Sequence, residues 1–168
     1  SLNLINSPAN PDHSLAENWR AGLDPGGSPG FADGGINFTN WKRAWFDSSS
    51  GDFPLSSAAT ADPDGDGTPN AMEFLLGNSP LSPGSRGIEV GSIGAGENLH
   101  MTVSFTRRAA LAGAAWQIEQ CTVPGSWSPA QTSLIQSVTQ GGLIRETHRL
   151  MAPMDATPWQ MVRLRVSL

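Results

Sequence analysis

The sequence predicts a mainly β protein with a small α part, and three observations predict it. Glycine and proline are abundant, at 19 and 13 residues, while charged residues make up only 15% of the chain. That balance favours turn-rich β structure over an all-helical bundle. Six runs after residue 87 alternate apolar with polar side chains at the period of a half-buried strand. Helical spacing is confined to two short stretches before residue 78, separated by a connection that ends in a run of aspartates and glycines. The expected architecture is an antiparallel β-sandwich preceded by a short helix and a loop–helix unit. By composition the chain divides into an extended or linker segment (1–36), a helix and loop–helix unit (37–80) and the sandwich (87–168).

Residues 1–36 are rich in Asn, Pro and Gly with brief apolar punctuation. Residues 1–5 read as one strand, and Leu15–Arg20 as a turn of helix or a second extended piece. Asp24–Gly30 is a linker by composition. It has neither the strand–loop–helix frame nor the following Lys of a phosphate loop. Residues 37–47 read as a helix capped by Thr39 or Asn40, with Phe38, Trp41, Trp45 and Phe46 on one side. Trp41 and Trp45 are core residues on this reading rather than a ligand platform. The connection 48–61 is too long for a tight helix–loop–helix, so this helix is expected to sit offset and to pack near Met72 and Leu76.

The stretch Asp62–Glu73 carries the chemistry. It reads Asp-Pro-Asp-Gly-Asp-Gly-Thr-Pro-Asn-Ala-Met-Glu, with carboxylates at positions 1, 3, 5 and 12 and Gly67 at position 6. That is the oxygen-ligand spacing of a twelve-residue calcium loop. Asp62, Asp64 and Asp66 each offer an oxygen, Thr68 its carbonyl, Asn70 a direct or water-mediated contact, and Glu73 both carboxylate oxygens. Gly67 supplies the sharp turn. Four carboxylates this close repel one another without a cation, so metal and local fold should be coupled. The bland alternative, an acidic turn, does not account for six specified positions in register. Pro69 has no N–H for the β-bridge between paired loops but suits a first helical turn. No second such loop exists in the chain. The segment from Pro69 to Leu76 has helical period and stops at Gly77. A sensor needs paired loops and a Met-rich cleft. A single EF-hand-like calcium loop with its exit helix fits a structural clamp.

After a breaker-rich hinge at 78–85, strands are expected at Ile88–Ile93, Leu99–Thr106, Ala115–Cys121, Leu134–Val138, Ile144–Leu150 and Val162–Val166. Leu99, Met101, Val103 and Phe105 should face inward. Six strands at this spacing suggest a small antiparallel sandwich, whose edge strands are open to pairing with another copy.

The net charge of −5 argues against a nucleic-acid or anionic-membrane partner. Residues 1–86 carry ten acids against four bases, and 87–168 five against six. Cys121 is the lone cysteine, which excludes a disulfide framework and a Cys-rich zinc site. In an apolar strand it reads as core. No apolar stretch is long enough for a membrane-spanning helix. The start is not a signal peptide and looks like a mature or clipped N-terminus.

The run from Asp62 to Pro80 resembles the signature D-P-D-G-D-G-x-x-N-x-x-E-[YF]-x-x-G-x-x-P found near the C-termini of secreted proteins of verrucomicrobia-like bacteria. Leu99–Arg108, Trp116–Glu119, Gly125–Trp127 and Val162–Val166 are similar to later landmarks of that module, so the resemblance covers about 37–168. The loop is also similar to dockerin and thrombospondin type 3 repeats, although dockerins carry two loops. Residues 1–33 resemble the closing segment of bacterial lamin-tail domains. The resemblance implies the tail end of a longer secreted protein, with surface display or adhesion rather than catalysis.

Three functions follow as expectations. The first is a calcium-binding, calcium-stabilised module of a secreted or cell-surface bacterial protein with an interaction role. The second is a small calcium-dependent hydrolase of an ester or lactone, for example an acyl-homoserine lactone, with Asp52 or Asp66 taking the proton from a metal-bound water. His13, His100 and His148 are scattered, but His100 and His148 sit at polar phases of strands that one sheet face could bring together. No Cys–His dyad, H-E-x-x-H, G-x-S-x-G or nucleotide loop is present. The third is a carbohydrate-binding module with Trp116, Trp127 or Trp159 as a sugar platform. Expected partners are an unknown protein, glycan or small molecule, with no membrane insertion, and the chain is expected to be a monomer or weak oligomer.

Overall fold

A computed structural model describes residues 2–4, 12, 14, 15, 19–21, 36–84, 87–156 and 160–168. It is mainly β, with three short helices. Near the start, β1 (Leu2–Leu4) pairs antiparallel with β2 (Trp19–Ala21), so Leu15–Arg20 ends in a strand. The Asp24–Gly30 linker, His13 and Trp159 lie outside the described residues. The short β3 (Ile36–Asn37) pairs in parallel with β6 (Leu111–Ala112) and runs straight into α1 (Phe38–Trp45).

The cap of α1 is Asn37, not Thr39 or Asn40. Asn37 has extended backbone, and its side-chain oxygen accepts the Asn40 N–H at 2.8 Å. This satisfies one of the donors that every helix start leaves open. Trp41 is buried on α1 and stacks with Phe38, while Trp45 points away and is exposed. The helix therefore presents a narrower apolar stripe than four aromatics at helical spacing suggest. It packs on Phe74, whose ring meets Trp41 at 5.7 Å and Phe38 at 5.6 Å, both edge to face. Met72 and Leu76, the expected contacts, belong to the other core. The connection 48–61 also contains a one-turn helix, α2 (Phe53–Ser56), which the sequence reading missed.

All six expected strands are present. With β8 (Ser126–Pro129), which was not expected, they form two antiparallel sheets: β4 (Glu89–Ile93), β5 (His100–Arg108), β10 (Leu143–Pro153) and β9 (Thr132–Gln140) in the order β4-β5-β10-β9, and β11 (Met161–Ser167), β7 (Ala115–Val123) and β8 in the order β11-β7-β8. Between them lies a core of Met101, Val103 and Phe105 from β5, Leu150 from β10, Ile118 from β7 and Leu164 from β11. Met101, Val103 and Phe105 face inward as their alternation requires, and Leu99 is half-buried. Cys121 is fully buried but sits at the opposite phase of β7 from Ile118, across from Trp127.

The third helix, α3 (Asn70–Leu76), joins these parts. Its Leu75 and Leu76 complete the sandwich core, while Phe74 completes the cluster of Ile36, Trp41 and Phe46. Arg108, buried at the end of β5, donates from Nε to the Phe74 carbonyl at 2.9 Å, so a helix-end acceptor is satisfied from the sheet. The helix stops at Gly77, whose φ of 76° is left-handed.

Candidate metal centre

The loop Asp62–Glu73 is held at both ends before any ion is considered. The carbonyls of Ala61 and Ala59 accept the N–H groups of Asn70 (2.8 Å) and Ala71 (3.0 Å). These are two of the donors that the first turn of α3 cannot satisfy itself. The Asn70 amide nitrogen donates to the carbonyls of Ser56 and Ala58, at 2.8 Å each. The incoming chain is thus stitched to the exit helix, and a single loop closes without a partner loop.

Within the loop the aspartates fold their own backbone. Asp62 accepts the N–H groups of Gly65 (3.0 Å) and Gly67 (2.9 Å), and Asp64 that of Asp66 (3.2 Å). Asp66 accepts the N–H of Thr68 at 2.7 Å and, with its other oxygen, that of Gly84 at 2.7 Å. The Gly84 bond, with that of Thr68 behind it, holds the Asp66 carboxyl below the usual range. Gly67 has φ of 90°, so the sharp turn at loop position 6 uses the freedom that only glycine has cheaply.

Asp62, Asp64 and Asp66 bring ligand oxygens within 4.8 Å of one another, so the group could hold a metal ion. Glu73 stands outside that tight group but within its electrostatic reach. Burial, then the charges of Asp64, Asp66 and Asp62, push its carboxyl up to about 8. Glu73 is fully buried, yet neither of its oxygens has a hydrogen-bond partner. Asp64 Oδ2 and Asn70 Oδ1 are buried and unpartnered as well. Leaving such acceptors empty costs on the order of 1–3 kcal/mol each, more for a charged group. A positive ion held among the aspartates would offset the repulsion that they exert on one another and on Glu73. The donors are carboxylate and amide oxygens, the ligand type of hard cations. Thr68 is half-buried beside them, with its N–H on Asp66.

Gly84 and the carbonyls of Ala59 and Ala61 were not legible as parts of this site. A Cβ on Gly84 would approach Asn78 Nδ2 to 3.0 Å and Asp66 Oδ2 to 3.3 Å, so that glycine permits the close approach. Backbone carbonyls have no residue signature, and Gly84 sits in a run of breakers that reads as an ordinary hinge.

The other residues singled out do not converge on the loop. His148 turns inward, paired with Glu146 at 3.2 Å and stacked on Phe105 at 5.8 Å, whereas His100 bonds the Leu150 carbonyl from the opposite phase of β5. The expectation that they share a face fails because the polar phase of β10 is the buried one. Burial opposes ionisation of Glu146, but the hydrogen bonds from Arg107 (2.6 Å) and His148 hold its carboxyl below the usual range. Trp116 is packed edge-on against Phe105 and His148, with the Arg107 guanidinium over its ring at 5.4 Å. Trp127 carries the Arg163 guanidinium 4.2 Å from its centroid. Asp52 is exposed at the start of α2.

The fold and site define a mainly β protein with a carboxylate loop able to hold a metal ion. Comparison with family models, curated proteins and solved structures gives no match.

Proposed function

We propose that this chain is a calcium-binding, calcium-stabilised module of a secreted or cell-surface bacterial protein, with an interaction role rather than a catalytic one. The observation that carries the reading is Glu73: a fully buried carboxylate without a hydrogen-bond partner, at the last position of a loop whose three aspartates face it. With its carboxyl raised to about 8, Glu73 would keep a proton in the metal-free site at neutral pH, and a bound cation would displace that proton and occupy both unpartnered oxygens. Oxygen ligands at positions 1, 3, 5, 7, 9 and 12 favour calcium over magnesium, which keeps its waters and demands tighter geometry. The ligands would be Asp62, Asp64, Asp66, Thr68, Asn70 and Glu73.

The hydrolase reading has less support, since the histidines stand apart and Asp66 has both oxygens engaged by N–H groups. The sugar-binding reading has less too, because the rings of Trp116 and Trp127 already carry arginine. The deciding experiment is thermal unfolding of the full chain in calcium, magnesium and EDTA, with an ester and lactone panel followed in parallel. At a calcium concentration one-hundredfold above Kd, the stabilisation should be about 2.7 kcal/mol, a rise of several degrees in Tm. Magnesium should give less, and no turnover should appear. Equal Tm in calcium and EDTA would overturn the proposal. Turnover abolished by Asp52→Asn with the calcium shift intact would replace it with the hydrolase.

A further inference from the structure

The two main sheets have four edges, and three carry the features that discourage strand addition. β4 bears Glu89 and Gly91 and ends before Gly94, β11 presents Arg163 and Arg165, and β8 is four residues long and closes on Pro129. Charge, proline and short length are the usual ways to protect a sheet edge. β9 has none of these three, and its one protective feature, a bulge, is confined to its first half. It is nine residues long, and the whole stretch 120–144 holds no charged side chain. Among the described residues no strand pairs with its outer side.

One irregularity divides β9. Thr147 faces Gln136 and His148 faces Leu134, so Ile135 is an extra residue that bulges the strand. From Gln136 to Gln140 the register is unbroken, and every side chain in that run is exposed, with Val138 at its centre 52% exposed. Val138 and Gln140 share the outer face with Leu143, Thr106 and Arg145, around a shallow depression. Arg145, the nearest charge and the residue opposite Val138, is neutralised by Glu89 at 2.7 Å.

We propose that β9 is a self-association edge, on which a second copy of this chain adds its own β9 antiparallel, joining two four-stranded sheets into one of eight. With the two-fold axis at Val138, Val138 meets Val138 of the other copy, Ser137 meets Thr139, and Gln136 meets Gln140. The match is self-complementary, as a closed two-fold contact requires, and places no like charges opposite each other. That point admits a second copy as the occupant despite its charge. Each copy carries a net −5, so identical chains repel except where a local surface is neutral, and 120–144 is such a surface. Five paired residues make a small interface, so the dimer is weak, with Kd roughly between 10 μM and 1 mM. The proposal does not depend on the metal reading.

Sedimentation velocity of the full chain across that range tests it. The expected result is a monomer–dimer equilibrium whose Kd rises at least tenfold in Val138→Lys, with unchanged far-UV circular dichroism. Directly opposed residues of antiparallel strands lie about 4.5–5.5 Å apart at Cα, within disulfide reach. Val138→Cys should therefore cross-link on mild oxidation, and Ser92→Cys on the β4 edge should not. If Val138→Lys misfolds, the cross-linking pair decides the matter alone. A chain that stays monomeric to about 1 mM, a dimer indifferent to Val138→Lys, or equal cross-linking from both cysteines would overturn it. The monomeric outcome would leave the edge to a strand of another protein.

Discussion

Among the buried carboxylates of the described residues, Glu73 differs from Glu119 and Glu146 in having no hydrogen-bond donor. Glu119, by contrast, is buried under Arg163 and Arg165 and held below the usual carboxylate range, first by the Arg163 hydrogen bond. The sign for Glu73 is therefore the reverse of the usual acid. Its folded-state value of about 8 lies above the ordinary 4.5, so between those values the metal-free fold keeps a proton that the unfolded chain has released. Stability of the metal-free protein should fall as pH rises through that window, by up to about 1.4 kcal/mol per unit. Unfolding in EDTA from about pH 5 to pH 8 checks this, and Glu73→Gln should flatten the slope while abolishing the calcium shift. Calcium bound as proposed would displace the same proton, so affinity should rise with pH up to about 8 and then level off. Calorimetry in buffers of different ionisation heat would detect the released proton. A pH-independent affinity would mean that Glu73 does not close the site.

At the scale of elements, α3 is seven residues long and serves three surroundings in succession: Glu73 faces the loop, Phe74 the aromatic cluster, Leu75 and Leu76 the sandwich. Phe74→Ala should cost about 3–5 kcal/mol, seen as a lower denaturant midpoint, and should loosen α1 as well because Trp41 and Phe38 lean on the same ring. Gly84→Ala should weaken the proposed calcium binding without replacing a ligand residue, since the added carbon crowds Asn78 and the Asp66 oxygen that the Gly84 N–H holds. A titration showing unchanged affinity would dismiss that coupling. The acidic loop and all six strands were legible because their information is local: twelve residues in register, or an alternation of period two. The companions of α3 were not. Which side of α3 meets α1 depends on Phe74, and a helix this short has too few turns for its periodicity to assign faces. β6 and β8 are two and four residues long, below the length at which alternation separates from chance. The inward turn of Glu146 and His148 was hidden because the pattern rule treats polar residues as outward. Only their pairing with Arg107 and the ring of Phe105 makes the buried phase affordable.

For the molecule as a whole, the loop–helix unit and the sandwich share one apolar core through α3, and β3 pairs with β6 across the same divide. Unfolding should therefore be a single transition: tryptophan fluorescence, in a variant that keeps Trp41 and carries Phe at the other five positions, should superpose on far-UV circular dichroism, which reports the strands. Two separated transitions would show that the parts are independent. The same arrangement has a consequence for the order of events during synthesis. Leu75 and Leu76 find their sandwich partners only when Leu164 of β11 is available, near the far end of the sequence. Contacts between such distant positions form late, so Glu73 is not fixed beneath its aspartates when the loop itself is made. If the loop takes calcium as proposed, ion capture would follow the arrival of β11 rather than the synthesis of the loop.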